Sequence, residues 1–492
     1  MMTDAHDRLT FELEMNGDSL REECGVFGVF GHDDAAALTA LGMHALQHRG
    51  QEACGIVSFD GKRFHSERRI GLVGDAFSKP STMERLKGRL AVGHNRYSTT
   101  GEQVLRNVQP MFAELSTGGF AVAHNGNITN GLALRRSLIA DGAICQSTSD
   151  TEAVLHLVAR SRQRHLVDRF IDAIKALEGA YSLVCMSSKK MIGVRDPLGI
   201  RPLVLGELNG AYILSSETCA LDIIGARFVR EIENGEVVVI TQDGVQSIKP
   251  FPPQPARPCI FEYIYFSRPD SVIGGRSVYQ VRKEMGRELA REAGADVDVV
   301  IPVPDSGVPA ALGYSQEAGV PFELGIIRNH YVGRTFIEPT QQIRALGVKL
   351  KHNANRAVIE GKRVMLVDDS IVRGTTSVKI VQMMFDAGAR EVHMAIASPP
   401  ITHPDFYGID TPEQKALLAA THTVEEMSNY IGVNSLTFLS VDGIYRATGY
   451  EMRDAVRPQF TDHCFTGDYP TALTDYSDGG NPHQLSLLAE AG

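Results

Sequence analysis

The chain has 492 residues, enough for two or three domains, and its balance of 43% apolar to 22% charged residues is that of a folded globular protein rather than a disordered one. The formal charge of −10 argues against nucleic-acid binding through broad electrostatics, and no apolar run reaches the roughly 18 residues needed to span a bilayer. Seven scattered cysteines without a C-x-x-C pair indicate neither a disulfide framework nor a zinc ribbon, and a reducing cytoplasm is the expected location.

Residues 1–23 form a polar, acidic leader ending at Glu22-Glu23, without the basic start and apolar middle of a secretory signal. Directly after it stands Cys24-Gly-Val-Phe-Gly28. A helix is predicted from about Asp34 through Ala45, and Asp60-Gly61, Asn209-Gly210 and Asp243-Gly244 each predict a hairpin between β-prone runs. Ser149-Asp-Thr-Glu152 has the form of a capping box opening a second helix, with Ala153, Val154, Leu157 and Val158 as its apolar stripe. Antiparallel strands with a few helices predict an α+β layered domain over residues 24–255.

The proline-rich stretch Lys249–Pro258 marks a boundary, because its prolines disfavour both helix and central strand. Beyond it strands and helices alternate. Val297–Ile301, Arg363–Val367 and Glu391–Ala397 read as strands, and Val308–Glu317 and Thr375–Asp386 as helices. That alternation predicts an α/β domain with an open parallel sheet over residues 256–470, binding its ligand at the carboxyl ends of the strands. Residues 471–492 contain no Lys or Arg and read as a flexible tail.

Arg363-Val-Met-Leu-Val-Asp-Asp-Ser-Ile-Val-Arg-Gly-Thr-Thr-Ser377 is the most informative segment. Asp368 and Asp369 end a strand where they can hold Mg²⁺ or hydrogen-bond vicinal sugar hydroxyls. Arg373-Gly374 then turns the chain into a helix, and Thr375, Thr376 and Ser377 add hydroxyls to its free N–H groups, a setting for an anion. A merely capped helix with acids nearby would explain one Asp and one Thr, not the whole run. The segment is similar to the signature by which type I phosphoribosyltransferases bind phosphoribosyl pyrophosphate (PRPP). On that resemblance the two acids address the ribose hydroxyls and the loop holds the 5′-phosphate. Pro302-Val-Pro-Asp-Ser-Gly-Val308 matches the family's pyrophosphate loop, through Asp305 and Ser306. The basic run from Arg328 to His352, with Lys349, resembles the loop that closes over PRPP, although any one lysine such as Lys351 is equally a solvated surface charge.

In the first half, Cys24 is either a small buried hydrophobe or a nucleophile. Cleavage between Glu23 and Cys24 would place a new α-amine of pKa about 8 beside the thiol, able to take its proton without a histidine. Arg96, in Gly93-His-Asn-Arg96, offers a planar fork for a substrate carboxylate. Asn125 and Gly126, in His124-Asn-Gly-Asn127, offer a donor pair for an oxyanion, and Asp150 offers a carboxylate for an ammonium. Alone, each also reads as something ordinary: a surface charge, a hairpin turn, an acid near a helix dipole. His44 and His48 are spaced i, i+4 but lack the Glu of a zinc protease motif, and they read as packing or surface residues.

Together, and with Leu46-Gln-His-Arg-Gly-Gln-Glu-Ala-Cys-Gly55, these segments resemble the N-terminal-nucleophile (Ntn) glutaminase domain of glutamine amidotransferases. Joined to the second half, they are similar to the amidophosphoribosyltransferase family. The resemblance implies an αββα Ntn-hydrolase domain followed by the phosphoribosyltransferase domain, with the leader removed. It implies glutamine hydrolysis at Cys24, with Asn125 and Gly126 as oxyanion donors and Arg96 and Asp150 holding the glutamine. Ammonia then passes internally to PRPP, giving 5-phosphoribosylamine, the first committed product of purine synthesis. It further implies Mg²⁺ at Ser306, Asp368 and Asp369, inhibition by purine nucleotides and a homotetramer. Some members carry a [4Fe–4S] cluster on four cysteines. This chain keeps two of those positions, Cys259 and Cys464, with Asp405 and Thr461 at the others and His463 adjacent, so no cluster is expected. The competing readings are a PRPP- or purine-sensing regulator with an idle phosphoribosyltransferase fold, and a glutaminase serving another acceptor. The first wants a DNA-binding module or a basic face, which the acidic balance does not supply; Asp368–Ser377 speaks against the second.

Overall fold

The structure is a computed structural model that describes residues 24–97, 104–328, 352–411 and 413–476. The leader, Lys349 and Lys351 with most of the basic run, and residues 477–492 of the tail lie outside the described residues.

In chain order the strands of the N-terminal half are β1 (Gly25–Phe30), β2 (Ala53–Phe59), β3 (Phe64–Ile70), β4 (Leu90–Arg96), β5 (Met111–Leu115), β6 (Gly118–Ile128), β7 (Gly179–Ser187), β8 (Met191–Arg195), β9 (Val204–Leu208), β10 (Ala211–Ser215), β11 (Arg227–Glu231), β12 (Val237–Thr241) and β13 (Gly244–Ile248). They form two antiparallel sheets, ordered β11-β9-β10-β1-β4-β2-β3 and β13-β12-β8-β7-β6-β5. The period-2 alternation of side chains decides the layering. Val26 and Phe30 of β1 face the second sheet, with Val92, Ala121, Val184 and Val238. Phe27 and Val29 face the other way, against helix α1 (Ala35–Ala45) and its residues Ala35, Ala36 and Met43. On β7, Tyr181, Leu183 and Cys185 pack against helix α2 (Thr151–Arg160) through Val154 and Val158. Helix, sheet, sheet, helix is therefore the order of layers. The sheets approach closely enough at Gly28 that a Cβ there would lie 2.7 Å from Met191 Sδ.

The hairpins at Asp60-Gly61, Asn209-Gly210 and Asp243-Gly244 join β2 to β3, β9 to β10 and β12 to β13. Asn125-Gly126, in contrast, is no turn: it lies within β6, which pairs with β7 from Phe120 to Ile128. The capping box is also not formed. Asp150 caps α2 through the Thr151 N–H, while Glu152 turns back to accept from the N–H groups of Gln146 and Ser147.

After residues 249–258, which form no strand or helix, comes the second domain. Its strands β14 (Val299–Pro302), β15 (Arg363–Asp368), β16 (Glu391–Ile396) and β17 (Ser435–Phe438) pair in that order, all parallel. Val300, Met365 and Val367 face helices α3 (Val278–Glu292) and α4 (Val308–Ala318). Val299, Ile301, Leu366 and Met394 face α5 (Thr375–Asp386). Burial on both faces explains why these strands read as unbroken apolar runs.

The tail departs from expectation. Residues 471–476 are docked on the N-terminal half rather than loose. Asp475 accepts from the N–H groups of Leu132 and Ala133, at the start of the helix Gly131–Ala140, and Tyr476 bonds Asn127. A segment without lysine or arginine can still order itself when its acid finds the free N–H groups of a helix end. Asp475→Ala should cost about 1–2 kcal/mol through those lost acceptors, lowering the melting temperature by roughly 2–4 °C in a thermal scan.

Candidate active sites and the family they belong to

Cys24 stands immediately before β1, with Sγ 3.5 Å from the Tyr97 carbonyl. Burial pushes its thiol up to about 11, against the lowering effect of the Tyr97 hydrogen bond and of Arg96. Arg96 ends β4, and its side chain is buried rather than a surface charge. Burial lowers its pKa, while Cys24, Glu52 and Asp150 act in the opposite sense. Asp150 lies within reach of the same charges. Burial works against its ionised form, but His124 and the N–H groups of Ile128 and Thr151 hold its carboxyl below the usual range. Strand ends and one helix start thus bring Cys24, Arg96 and Asp150 together from separate stretches of chain.

Asn125 is fully buried, and neither its amide oxygen nor its nitrogen has a partner among the described residues. A buried amide left unengaged costs stability unless something else binds it. Gly126 beside it has φ +133°, and a side chain there would put Cβ 2.1 Å from the Ala180 carbonyl. Only glycine therefore allows β6 to bend at this point while staying paired to β7.

The second site opens at the carboxyl ends of β14 and β15 as a cleft of about 370 Å³. Asp305, Ser306, Asp368, Asp369, Thr376 and Ser377 line it. Asp369 is buried, which pushes its carboxyl up, while hydrogen bonds from Ser306 and Ser370 oppose the shift. Gly374, at φ +79°, turns the chain into α5. Arg373, Gly374 and Thr375 belong to that turn but are not among the described residues lining the cleft. Asp305 pairs with Arg328 across the cleft mouth.

Several lining residues escaped the sequence reading. Arg282, in the middle of α3, is buried and donates to the carbonyls of Tyr263 and Ser267 at 2.7 Å each. His48, part-buried, lines the cleft and lies 2.6 Å from Glu217 Oε1, a contact its i, i+4 spacing with His44 did not signal. The signal available for Arg282 was a lone cation on the otherwise apolar stripe Val278, Val281, Met285 and Leu289.

The four positions considered for a cluster do come together. Cys259 and Cys464 are both buried free thiols. Burial pushes Cys259 up to about 12 and Cys464 well above its ordinary value. Asp405 Oδ1 accepts from the N–H groups of Tyr407 and Ile409, and its Oδ2 lies 2.9 Å from His463 Nε2. The Thr461 hydroxyl donates to the Arg257 carbonyl at 2.6 Å.

Comparison with known proteins bears on both halves. Residues 94–222 match the family model of the glutamine amidotransferase domain, and residues 275–400 that of the phosphoribosyl transferase domain. The amidophosphoribosyltransferase of Rhizobium etli is 67% identical over 484 residues, spanning 97% of this chain and 98% of its own. The chain belongs to the amidophosphoribosyltransferase family. It carries a glutamine amidotransferase domain and a phosphoribosyltransferase domain, and the family's enzymes catalyse the first step of purine biosynthesis. The Bacillus subtilis amidophosphoribosyltransferase is 47% identical over 94% of this chain and 97% of its own. A solved structure of glutamine PRPP amidotransferase from that organism, complexed with ADP and GMP, superposes with a TM-score of 0.88 at 46% identity. It covers 94% of this chain and 100% of the solved one.

Proposed function

We propose that the two sites divide the reaction between them. The observation that carries this reading is the convergence of Cys24, Arg96, Asp150 and the unengaged Asn125 amide in one half, with the acid-lined cleft in the other. Arg96 pairs with the α-carboxylate of glutamine and Asp150 with its α-ammonium. A thiol held up at about 11 is thiolate in roughly one part in ten thousand at pH 7, so it needs a local base. Cleavage of the Glu23–Cys24 peptide supplies one, the α-amine of Cys24. The amine takes the thiol proton as Sγ attacks the carboxamide carbon. Asn125 Nδ2 and the Gly126 N–H stabilise the oxyanion. The C–N bond then breaks, the proton leaves with ammonia, and water hydrolyses the thioester to glutamate.

Ammonia passes through the protein to the cleft and attacks C1 of PRPP, breaking the C1–O bond to pyrophosphate and giving 5-phosphoribosylamine. Asp368 and Asp369 hold the ribose hydroxyls, and Thr375, Thr376, Ser377 and the turn through Arg373 and Gly374 hold the 5′-phosphate. Asp305, Ser306 and Lys349 address the pyrophosphate. The carboxylate and hydroxyl oxygens of Asp368, Asp369 and Ser306 are the donor class that Mg²⁺ takes, and the bound ion would neutralise the leaving pyrophosphate. Purine nucleotides, of the kind in the B. subtilis complex, inhibit by occupying the phosphate turn at 374–377 or a neighbouring site.

The four positions around Cys464 do not fit an iron–sulfur cluster. Clusters take thiolates, and here there are two thiols, both driven toward the neutral form by burial. Asp405 already accepts two backbone N–H groups, and Thr461 is a neutral hydroxyl whose proton is committed to Arg257. Packing around the buried thiols takes the structural place of a cluster.

Intact-mass measurement of active protein should find Cys24 as the N-terminus, and glutamine hydrolysis should rise with pH through the amine's pKa of about 8, since only the neutral amine accepts the proton. Full glutaminase activity in protein beginning at Met1 would refute the cleavage. Cys24→Ala should abolish glutamine-dependent synthesis and keep synthesis from free ammonia, whereas Asp368→Asn with Asp369→Asn should lose both. Loss of the ammonia reaction in a folded Cys24→Ala protein would sink the division of labour. Protein purified anaerobically should be colourless and active, and iron with sulfide at cluster stoichiometry would overturn that expectation.

A further inference from the structure

What excludes an iron–sulfur cluster around Cys464 does not exclude a single ion, because a lone borderline-soft cation takes mixed sulfur, nitrogen and oxygen ligands. Cys464 Sγ, a ring nitrogen of His463 and a carboxylate oxygen of Asp405 all lie within 4.8 Å of one another, and all three residues are buried. They come from two separate stretches, the loop at 403–408 and the short helix His463–Thr466.

Asp405 commits only one oxygen to its surroundings. Oδ1 accepts from the Tyr407 N–H at 2.6 Å and the Ile409 N–H at 2.8 Å, which leaves Oδ2 beside His463. Oδ2 and His463 Nε2 are 2.9 Å apart, yet Oδ2 has no hydrogen-bond partner among the described residues, so the approach does not run along a ring N–H. Cys464 Sγ stands 3.4 Å from the same nitrogen. Nε2 cannot donate to Asp405 and accept from Cys464 at once. Bare, it faces the anionic oxygen lone pair to lone pair; protonated, it aims its hydrogen past that oxygen. Either way a buried carboxylate oxygen goes unanswered, which costs stability. A cation among the three atoms answers it. In a tetrahedral zinc site, bonds of about 2.0 Å to nitrogen or oxygen and about 2.3 Å to sulfur set N···S edges near roughly 3.5 Å and N···O edges near roughly 3.3 Å. The spacings here, 3.4 Å and 2.9 Å, are close to those edges.

The surroundings suit such an ion. Tyr407 meets the His463 ring edge-on with centroids 5.0 Å apart, and Tyr469 lies against it at 4.8 Å, so the ring is held in place. Cys259 is a further buried thiol, whose charge acts on Cys464. The charge of the buried Arg201 acts on Cys259, Asp405 and Cys464 alike. With both thiols ionised, three anionic ligands would face the two charges of a divalent ion and the one of Arg201, a balance that burial demands.

We propose that Asp405, His463 and Cys464 bind one Zn²⁺, with Cys259 turned in as the fourth ligand. Zinc takes thiolates, so binding releases the two thiol protons to solvent. The ion ties the 403–408 loop, the helix at 463–466 and the start of the second domain together, inside the packing that stands where a cluster would. The role is structural, and the sulfur ligands select zinc over the Mg²⁺ of the PRPP cleft.

Metal analysis of the full chain, dialysed against zinc and then against metal-free buffer, should find about one zinc per chain. Asp405→Asn and Cys464→Ser should each hold less than about a fifth of that, whereas Asp368→Asn with Asp369→Asn should keep it all. Cobalt put in place of zinc should show a thiolate-to-cobalt charge-transfer band in the unsubstituted chain. Stripping the zinc with a chelator should lower the melting temperature by at least about 3 °C and zinc should restore it, with no such shift in Asp405→Asn. If Cys464→Ser does not fold, the cobalt spectrum and the Asp405→Asn protein still decide. An unsubstituted chain holding less than about a tenth of an equivalent of zinc overturns the proposal and leaves an imidazolium–carboxylate pair only. Zinc retained in full by both the Asp405 and the Cys464 variants, or a cobalt spectrum without the thiolate band, overturns it equally.

Discussion

The constraint on which the rest of this structure depends is the burial of Arg49 between two carboxylates, one from each half of the chain. Glu217 and Glu262 are both buried, and despite burial Glu217 is held well below the usual carboxylate range by His48 and Arg49, and Glu262 is lowered by Arg49 and Arg201. A buried carboxylate without its cation would be strongly destabilising. The pairing therefore fixes the relative placement of β1, the turn carrying Arg49 and the first residues after the domain boundary. Arg201 extends the same logic. It donates to the Tyr407 carbonyl from Nε and Nη2 and approaches Glu262, tying the first half to the stretch that carries Asp405 and Tyr407.

Around that junction the two halves use opposite sheet designs for the same end. In the first, antiparallel strands alternate faces, so one sheet contributes to the space between sheets and to a helix layer at once. Its candidate site residues sit where strands stop: Cys24 before β1, Arg96 at the end of β4. In the second, parallel strands covered on both faces leave only their carboxyl ends accessible, and Asp368 stands at such an end. Each fold thus exposes polar chemistry only where its hydrogen-bonded ladder ends. The exception is Asn125-Gly126, where a positive-φ glycine lies in the middle of a strand beside a buried, unengaged amide.

The C-terminal segment adds a second link between the halves. Phe406 stacks on Tyr476 with ring centroids 4.3 Å apart, its carbonyl accepts from the Asn127 amide, and Asn127 also meets the Tyr476 hydroxyl. Directly after Gly126, the strand is therefore gripped at Asn127 by groups from beyond residue 400. Chain remote in sequence thus reaches the surroundings of Cys24 and of Asn127, through the Arg49–Glu262 pair and through Tyr476.

The sequence by itself determined the two-domain organisation, an antiparallel half followed by alternating strands and helices, because apolar periodicity is a local signal. It also determined the hairpins, and it named Cys24, Arg96, Asp150 and the Asp368–Ser377 segment, whose chemistry is concentrated in short runs. Only the tertiary structure decided whether those residues meet. Asn125-Gly126 carries a turn dipeptide, yet pairing of β6 with β7 from Phe120 to Ile128 overrode that local preference. Glu152 looked like a capping-box partner, but the N–H groups of Gln146 and Ser147 compete for it and win. The tail looked unstructured by composition, and a helix end more than 300 residues away orders Asp475. Arg49, Glu217 and Glu262 lie in three unrelated stretches, and no local pattern marks them as partners. Their association is set by where the two cores bring buried backbone together, and electrostatics then demands that the charges left inside be matched.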